Sequence, residues 1–220
     1  MDRIRRMVSG RSGADVEKTR AANQRWFDRW ACRYESNPIS QWLQEIQSQA
    51  LAALELGQAD RLLDVGCGTG VAVRRAAPTV AEAVGIDVAP AMVAEAGRLA
   101  AGLANVSFLQ ADSARLPFHD ESFTAVLCST SFHHYPEPQR AVREMARVLG
   151  PKGRLVIADG NAERRIVQVI DRVNRLVEPS HVRLYRLPEL AGFLHQAGFL
   201  DAQVRRLYNG AYVLVRATKP

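Results

Sequence analysis

The segment Leu62-Leu-Asp-Val-Gly-Cys-Gly-Thr-Gly70 sets the strongest limit on how this 220-residue chain can fold. The apolar run Arg61–Val65 reads as a strand, and it leads straight into three glycines before a helix that starts near Thr69. Glycines at such a point allow a tight turn and let backbone N–H groups approach a ligand without an intervening side chain. The spacing is G-x-G-x-G, and Val71 stands where a dinucleotide-binding fingerprint requires its third glycine. A strand, a glycine turn and a helix in this order predict one unit of an α/β sheet.

The following residues repeat the unit. Ala81–Ile86, Val106–Gln110, Phe123–Cys128 and Arg154–Ala158 read as strands two to five, the last entered through the turn Gly150-Pro-Lys-Gly153. Between them lie helix patterns at Pro90–Ala101, with proline suited to the first turn, and at Glu137–Leu149, with Ala141, Val142, Met145, Val148 and Leu149 at helical spacing. Strands alternating with helices at this pace predict a mainly parallel sheet covered on both faces. Beyond it, Ala162–Val177 reads as an amphipathic helix with Ile166, Val169, Ile170, Val173 and Val177 on one side, and Pro188–Gln196 as another. Ala202–Leu207 and Ala211–Ala217 flank Tyr208-Asn-Gly210, whose Asn-Gly step predicts a closing antiparallel pair. The first 58 residues differ in character: Glu17–Tyr34 and Pro38–Leu56 read as two helices, and they hold all three tryptophans.

Composition narrows the class. Apolar residues make up 47% of the chain, yet no run approaches the roughly 18 residues of a membrane span. The terminus Met1–Gly10 is basic but lacks an apolar stretch suited to a secretory signal. Cys32, Cys67 and Cys128 fit neither a zinc site nor a disulfide framework, so reduced thiols in a cytoplasmic protein are expected. The net charge of +6 invites a nucleic-acid partner. Against that, only three of 29 basic residues are lysine and alanine is abundant, a skew that reads as codon composition. The excess is concentrated in residues 1–33, which hold eight arginines and one lysine against four acids.

Three carboxylates stand at successive strand ends, in order. Asp64 ends strand one, where it would repel a pyrophosphate and suit a cationic ligand. Asp87 follows Val84-Gly-Ile86, placed to accept hydrogen bonds from both hydroxyls of a ribose, with Gly85 keeping the strand end slim. Asp112, one strand further, can accept from an exocyclic amine such as that of adenine, with Ser113 adding a backbone donor. Each alone would read as a solvated loop residue or a helix cap; the ordered set disfavours a dinucleotide and points to a different nucleoside.

On these residues the sequence resembles the class I, Rossmann-like S-adenosylmethionine-dependent methyltransferases, in particular the group related to the ubiquinone/menaquinone biosynthesis methyltransferases. Leu62–Gly70 matches the first motif of that family, Gly85-Ile-Asp87 the second, and Ala111-Asp112 with Leu116-Pro-Phe118 the third. Phe123–Tyr135 and Arg147–Leu155 resemble the regions of strand four and of the turn into strand five, so the likeness covers residues 60–160 well. It implies a doubly wound, mostly parallel seven-stranded sheet of order 3-2-1-4-5-7-6 with strand seven antiparallel. It also implies an amino-terminal helical lid over residues 1–58 and a cofactor-binding domain over 59–220.

The same resemblance implies residue roles. Asp64 and the loop of Gly66, Cys67, Gly68 and Gly70 would hold the methionine part of S-adenosylmethionine, and Asp87 its ribose. Asp112 and Ser113 would meet the adenine, and Cys128 and Ser129 the methionyl group through their backbone. Val88 and Met92 either pack on the purine or serve as core residues. Tyr34, near Trp26-Phe-Asp-Arg-Trp30, would contact the methionyl end from the lid, with Trp26 toward the acceptor; alternatively these aromatics pack helices onto the sheet. S-adenosylhomocysteine would be the product.

The acceptor side is less constrained. Methyl transfer is an in-line displacement helped by alignment, and it needs a base only where the nucleophile holds its proton. His133 or His134, after strand four, is a candidate base or a structural element of the cofactor pocket; His181 and Tyr185 are candidates for substrate contact from the loop beyond. No Asp-Pro-Pro-Tyr or Asn-Pro-Pro-Tyr stretch follows strand four, which counts against an amino-directed nucleic-acid enzyme. No carboxylate cluster there suggests a metal. A small-molecule acceptor is expected, with a nucleic-acid methyltransferase, a non-catalytic regulator and a nicotinamide dehydrogenase as the alternatives.

Overall fold

The computed structural model describes residues 12–220, so the stretch Met1–Gly10, and with it part of the basic excess, lies outside the described residues. Alternating runs form the expected strands: β1 (Arg61–Val65), β2 (Glu82–Asp87), β3 (Val106–Gln110), β4 (Phe123–Ser129), β5 (Leu149–Gly160), β6 (Ala202–Leu207) and β7 (Tyr212–Thr218). They build one seven-stranded sheet of order β3-β2-β1-β4-β5-β7-β6. β1 pairs in parallel with β2 and β4, β2 with β3 and β4 with β5, whereas β7 runs antiparallel to both β5 and β6. This is the doubly wound arrangement implied by the resemblance.

The period-two alternation of the strands sends their side chains to two cores. Leu62, Ala83, Leu127 and Val156 face α2 (Pro38–Ala52) and α3 (Val71–Ala76), meeting Ile46, Ala50, Ala72 and Val73. Leu63, Val84, Val126, Leu155 and Val215 face the opposite way, onto Val142 and Met145 of α5 (Pro138–Val148) and Leu190 and Leu194 of α7 (Leu187–Gln196). α4 (Pro90–Leu99) starts on a first-turn proline and lies along β2 and β3. α1 (Gly13–Trp30), capped by Ser12, reaches across the carboxyl edge of the sheet, where Asn23 Nδ2 donates to the His134 carbonyl and Asp28 accepts from the Ala91 amide.

Four expectations change. α1 runs over Gly13–Trp30 rather than Glu17–Tyr34, because Ser12 caps it earlier. β5 begins at Leu149 rather than Arg154, because Leu149 pairs with Phe123 before the turn at Lys152 (φ +61°). α2 stops at Ala52, and the chain turns through Glu55 at φ +51°. α6 spans Arg165–Val177, starting three residues later than the periodicity predicts, since the side-chain Oδ1 of Asn161 accepts from the Glu163 amide in a turn before it. Its apolar side is one side, as read, but it faces solvent: Ile166 is 62% exposed and Val173 50%, while Val167 and Asp171 point inward.

Candidate active site

A cavity opens at the carboxyl ends of β1, β2 and β4, beneath α1 and α2. Its wall includes Tyr34, Gly66, Cys67, Gly68, Asp87, Val88, Met92, Asp112, Ser113, Ser129 and His134. Most of the residues singled out from the sequence therefore share one space, gathered from five segments of the chain. Asp64, Gly70 and Cys128 sit behind that wall. His133, His181, Trp26 and Tyr185 are not on it either.

The glycine loop is folded as its composition demands. Gly66 takes φ +76°, and a Cβ there would stand 2.6 Å from Ser131 Oγ and 2.9 Å from the Tyr135 hydroxyl. Gly70 takes φ +78° at the N-cap of α3, and a Cβ would meet the Phe108 ring at 2.5 Å. The N–H groups, however, are not held out for a ligand. Those of Gly66 and Cys67 both donate to the Ile86 carbonyl at 2.9 Å, that of Gly68 to Asp87 Oδ2 at 2.9 Å, and that of Gly70 to the Cys67 carbonyl. Four donors that a pyrophosphate would use are engaged within the protein.

The carboxylates differ sharply in their surroundings. Asp64 is 1% exposed, and neither of its oxygens has a hydrogen-bond partner. Burial, aided by the nearby charge of Asp87, pushes its carboxyl up to about 7. Asp87 is also raised by burial, against the pull of the amides of Ala89 and Gly68 that donate to it. Asp64, unpartnered and buried behind the wall, and Asp87, half-buried on it, make this end of the cavity suited to a cation. Tyr34 above them is pushed up to about 12 by burial and by Asp87, so its phenol keeps its proton. The thiols of Cys67 and Cys128 are likewise raised by burial, which removes them as nucleophiles.

Asp112 is engaged from the lid side. Its Oδ2 lies 2.6 Å from the Arg20 guanidinium, which also binds Glu137, and its Oδ1 accepts from the Ala114 amide. An adenine amine would have to share or displace that arginine. Arg20 and Asn23 belong to the site although sequence reading passed over them. Their signal was faint: a polar pair on the otherwise unremarkable helix α1, with Asn23 5% exposed and its Oδ1 unpartnered.

The two histidines after β4 divide their duties. His133 Nδ1 donates to Asp159 at 2.8 Å, and its own amide bonds the same carboxylate. Burial draws this imidazole down, but the charge of Asp159 outweighs it and leaves His133 above its ordinary value. The His133 carbonyl accepts the amides of Val182 and Arg183, so it also anchors the loop after α6. His134 Nδ1 donates to the Ser180 carbonyl at 3.0 Å, which can only accept. Its proton is thus fixed on Nδ1, leaving Nε2 without one. Burial first, then His133, holds His134 well below its ordinary value. Only His134 of the pair lines the cavity.

The remaining substrate candidates are built into the protein instead. His181 is buried with Nε2 2.9 Å from Asp171, and Tyr185 is packed among Phe132 and Phe193 with Arg183 over its ring. Trp26 pairs with Trp30 at 6.3 Å between ring centroids. Their sequence setting resembled an exposed loop and a lid, but apolar neighbours brought by α7 and by the turn after β4 drew Tyr185 into the core.

A sheet of this order, with a glycine turn that engages its own donors and acids at the ends of β1 and β2, defines a class. The comparisons agree. A methyltransferase domain model matches residues 63–157. The chain is 30% identical to the demethylmenaquinone methyltransferase of Tropheryma whipplei over 97% of its own length and 95% of that protein. It is 39% identical to the uncharacterised methyltransferase YcgJ of Bacillus subtilis over 65% of this chain, spanning 59% of that relative. A crystal structure of YcgJ superposes with a TM-score of 0.71 at 25% identity, covering 80% of this chain and 98% of that one. The chain belongs to the class I S-adenosylmethionine-dependent methyltransferases. Within them it is related to the ubiquinone/menaquinone biosynthesis methyltransferase group.

Proposed function

We propose that the protein methylates a small, largely apolar aromatic acceptor of the quinol or phenol class, with residues 1–58 as its lid and residues 59–220 as the domain that binds the methyl donor. The observation that carries this reading is His134: a neutral imidazole, its Nδ1 proton given to the Ser180 carbonyl and its Nε2 3.9 Å from Glu178, belonging to a residue of the cavity wall that also includes Phe27, Leu43 and Pro136. Relatives named demethylmenaquinone methyltransferase, one of them matched over nearly the whole chain, support it.

The unpartnered, buried Asp64 fits the ammonium of S-adenosylmethionine, and Asp87, whose carboxylate keeps lone pairs beyond its two amide bonds, fits the ribose diol. Tyr34 and Ser129 would border the methionyl end, Asp112 and Ser113 the adenine end, with Val88 and Met92 toward the purine. When bound, the cofactor supplies an electrophilic sulfonium methyl group. The chain aligns the acceptor against it, and proximity accounts for much of the rate. His134 Nε2 takes the hydroxyl proton of the acceptor as its oxygen or ring carbon gains nucleophilic character. Asn23 and Ser180 hold that histidine in place. The free thiols of Cys32, Cys67 and Cys128 support a cytoplasmic setting.

The test is methyl transfer from labelled S-adenosylmethionine to a panel of quinols, phenols and amines. Labelled quinol or phenol is expected; transfer to amines alone would overturn the acceptor class. His134→Gln should lower kcat on the quinol at least about tenfold, within the usual range for a lost proton acceptor. In the wild type at saturating S-adenosylmethionine, where Asp64 is already paired, the acid limb of kcat should lie below pH 6.5, the ordinary histidine value from which His134 is depressed. A limb above that value would remove His134 as the base.

A further inference from the structure

We propose that α6 is a docking helix for an anionic phospholipid surface. Helices on a globular protein ordinarily turn their apolar stripe inward, and this one does the reverse. Ile166, Val169, Ile170, Val173, Leu176 and Val177 recur at helical spacing and range from 48% to 87% exposed. Together they line an outward arc along all 13 residues of the helix. The inward side holds Val167 and Asp171, and Asp171 is satisfied by His181 Nε2 and the Leu184 amide. No other helix or strand covers the outward arc among the described residues.

Charge selects the occupant. Asp171 is the only acid of the helix and is buried, while Arg165 and Arg172 stand exposed along one edge of the apolar arc, with Arg164 just before it. An apolar arc bordered by arginine is the composition of a helix that lies in the plane of a bilayer, its aliphatic groups below the phosphates and its guanidinium groups among them. A second copy fits less well. Antiparallel pairing of two such faces would bring Arg172, near the middle of the helix, against its own counterpart. The loop that leaves this helix carries the Ser180 carbonyl that orients His134, so the surface would lie one loop from the cavity wall. No helix of the described residues is long and apolar enough to cross a membrane, so the contact is peripheral. The inference stands apart from the identity of the acceptor.

Vesicle co-sedimentation of the full chain tests it. The protein should pellet with phosphatidylcholine vesicles that contain phosphatidylglycerol, and less as salt rises, while pure phosphatidylcholine should retain little. Val169→Glu with Val173→Glu, and separately Arg165→Glu with Arg172→Glu, should each lower the partition coefficient about tenfold or more. All four positions are exposed, and unchanged thermal unfolding and S-adenosylmethionine binding would exclude misfolding. Wild-type protein that stays in the supernatant with both vesicle types overturns the proposal, as do variants that pellet like wild type. A dimer by light scattering that Val169→Glu with Val173→Glu converts to monomer, without any vesicle binding, gives the face to a second copy and also overturns it.

Discussion

Asp64→Asn should make the ligand-free protein more stable while weakening its hold on S-adenosylmethionine. The unfolded chain releases the Asp64 proton near 3.8, whereas the folded protein keeps it until about 7. Across that window the native state binds more protons than the unfolded one, so the contribution of Asp64 to stability falls as pH rises and levels off above about 7. Raising a carboxyl from 3.8 to about 7 corresponds to about 4 kcal/mol against the ionised form at pH 8. The amide of asparagine removes that charge but brings donors into a site without acceptors, costing about 1–3 kcal/mol. The net gain at pH 8 is then about 1–3 kcal/mol, or roughly 5 °C in Tm for a chain of this size. It should shrink as pH falls and be gone near about pH 5, where the native wild type is already protonated. Titration calorimetry should show S-adenosylmethionine bound about thirtyfold more weakly by the variant, the worth of one charge-assisted hydrogen bond. Scanning calorimetry at several pH values reads the stability arm. A variant less stable than wild type at pH 8, or one with wild-type affinity, would refute the reasoning.

Two further substitutions probe the neighbouring loop. Asp87→Ala should weaken cofactor binding by about a hundredfold through lost ribose bonds and a freed Gly68 amide, whereas Asp120→Ala, which loses an exposed ion pair to Arg147, should leave the Kd unchanged; equal effects in calorimetry would remove the ribose role. Gly66→Ala should cost at least about 2 kcal/mol in chemical denaturation, since alanine meets both φ +76° and the Ser131 hydroxyl; a neutral result would mean that the turn relaxes freely.

The sheet was legible because each strand carries its signal locally. β1, β2 and β4 are short apolar runs closed by a glycine, an acid or a serine, and the Asn-Gly step placed β6 and β7 antiparallel. The acids were legible for the same reason: Asp64, Asp87 and Asp112 stand at successive strand ends, in order. What periodicity cannot encode is which way an element faces once it docks. The apolar spacing of α6 gave a helix correctly and left its direction open, because orientation depends on what lies beneath it, here Asp171 held by His181. Tyr185 and His181 looked like loop polars until α6 and α7 closed over them. Arg20 and Asn23 carry only a faint local mark, a polar pair on α1; their partners, Asp112, Glu137 and His134, lie about a hundred residues away in sequence.

The commitment of the loop amides has a consequence for redesign. Val71→Gly would restore the third glycine of a dinucleotide fingerprint, so on paper one codon separates this turn from a nicotinamide-binding one. The donors tell otherwise. As long as the Ile86 carbonyl holds the Gly66 and Cys67 amides and Asp87 holds that of Gly68, the turn offers a diphosphate few hydrogen bonds and two acids, Asp64 buried and Asp87 half-buried. A switch of cofactor would require re-registering the turn against β2 and neutralising Asp64, changes that no single step through viable intermediates supplies. The loop is therefore a fixed point in the divergence of this fold, around which lids and acceptor pockets can vary freely.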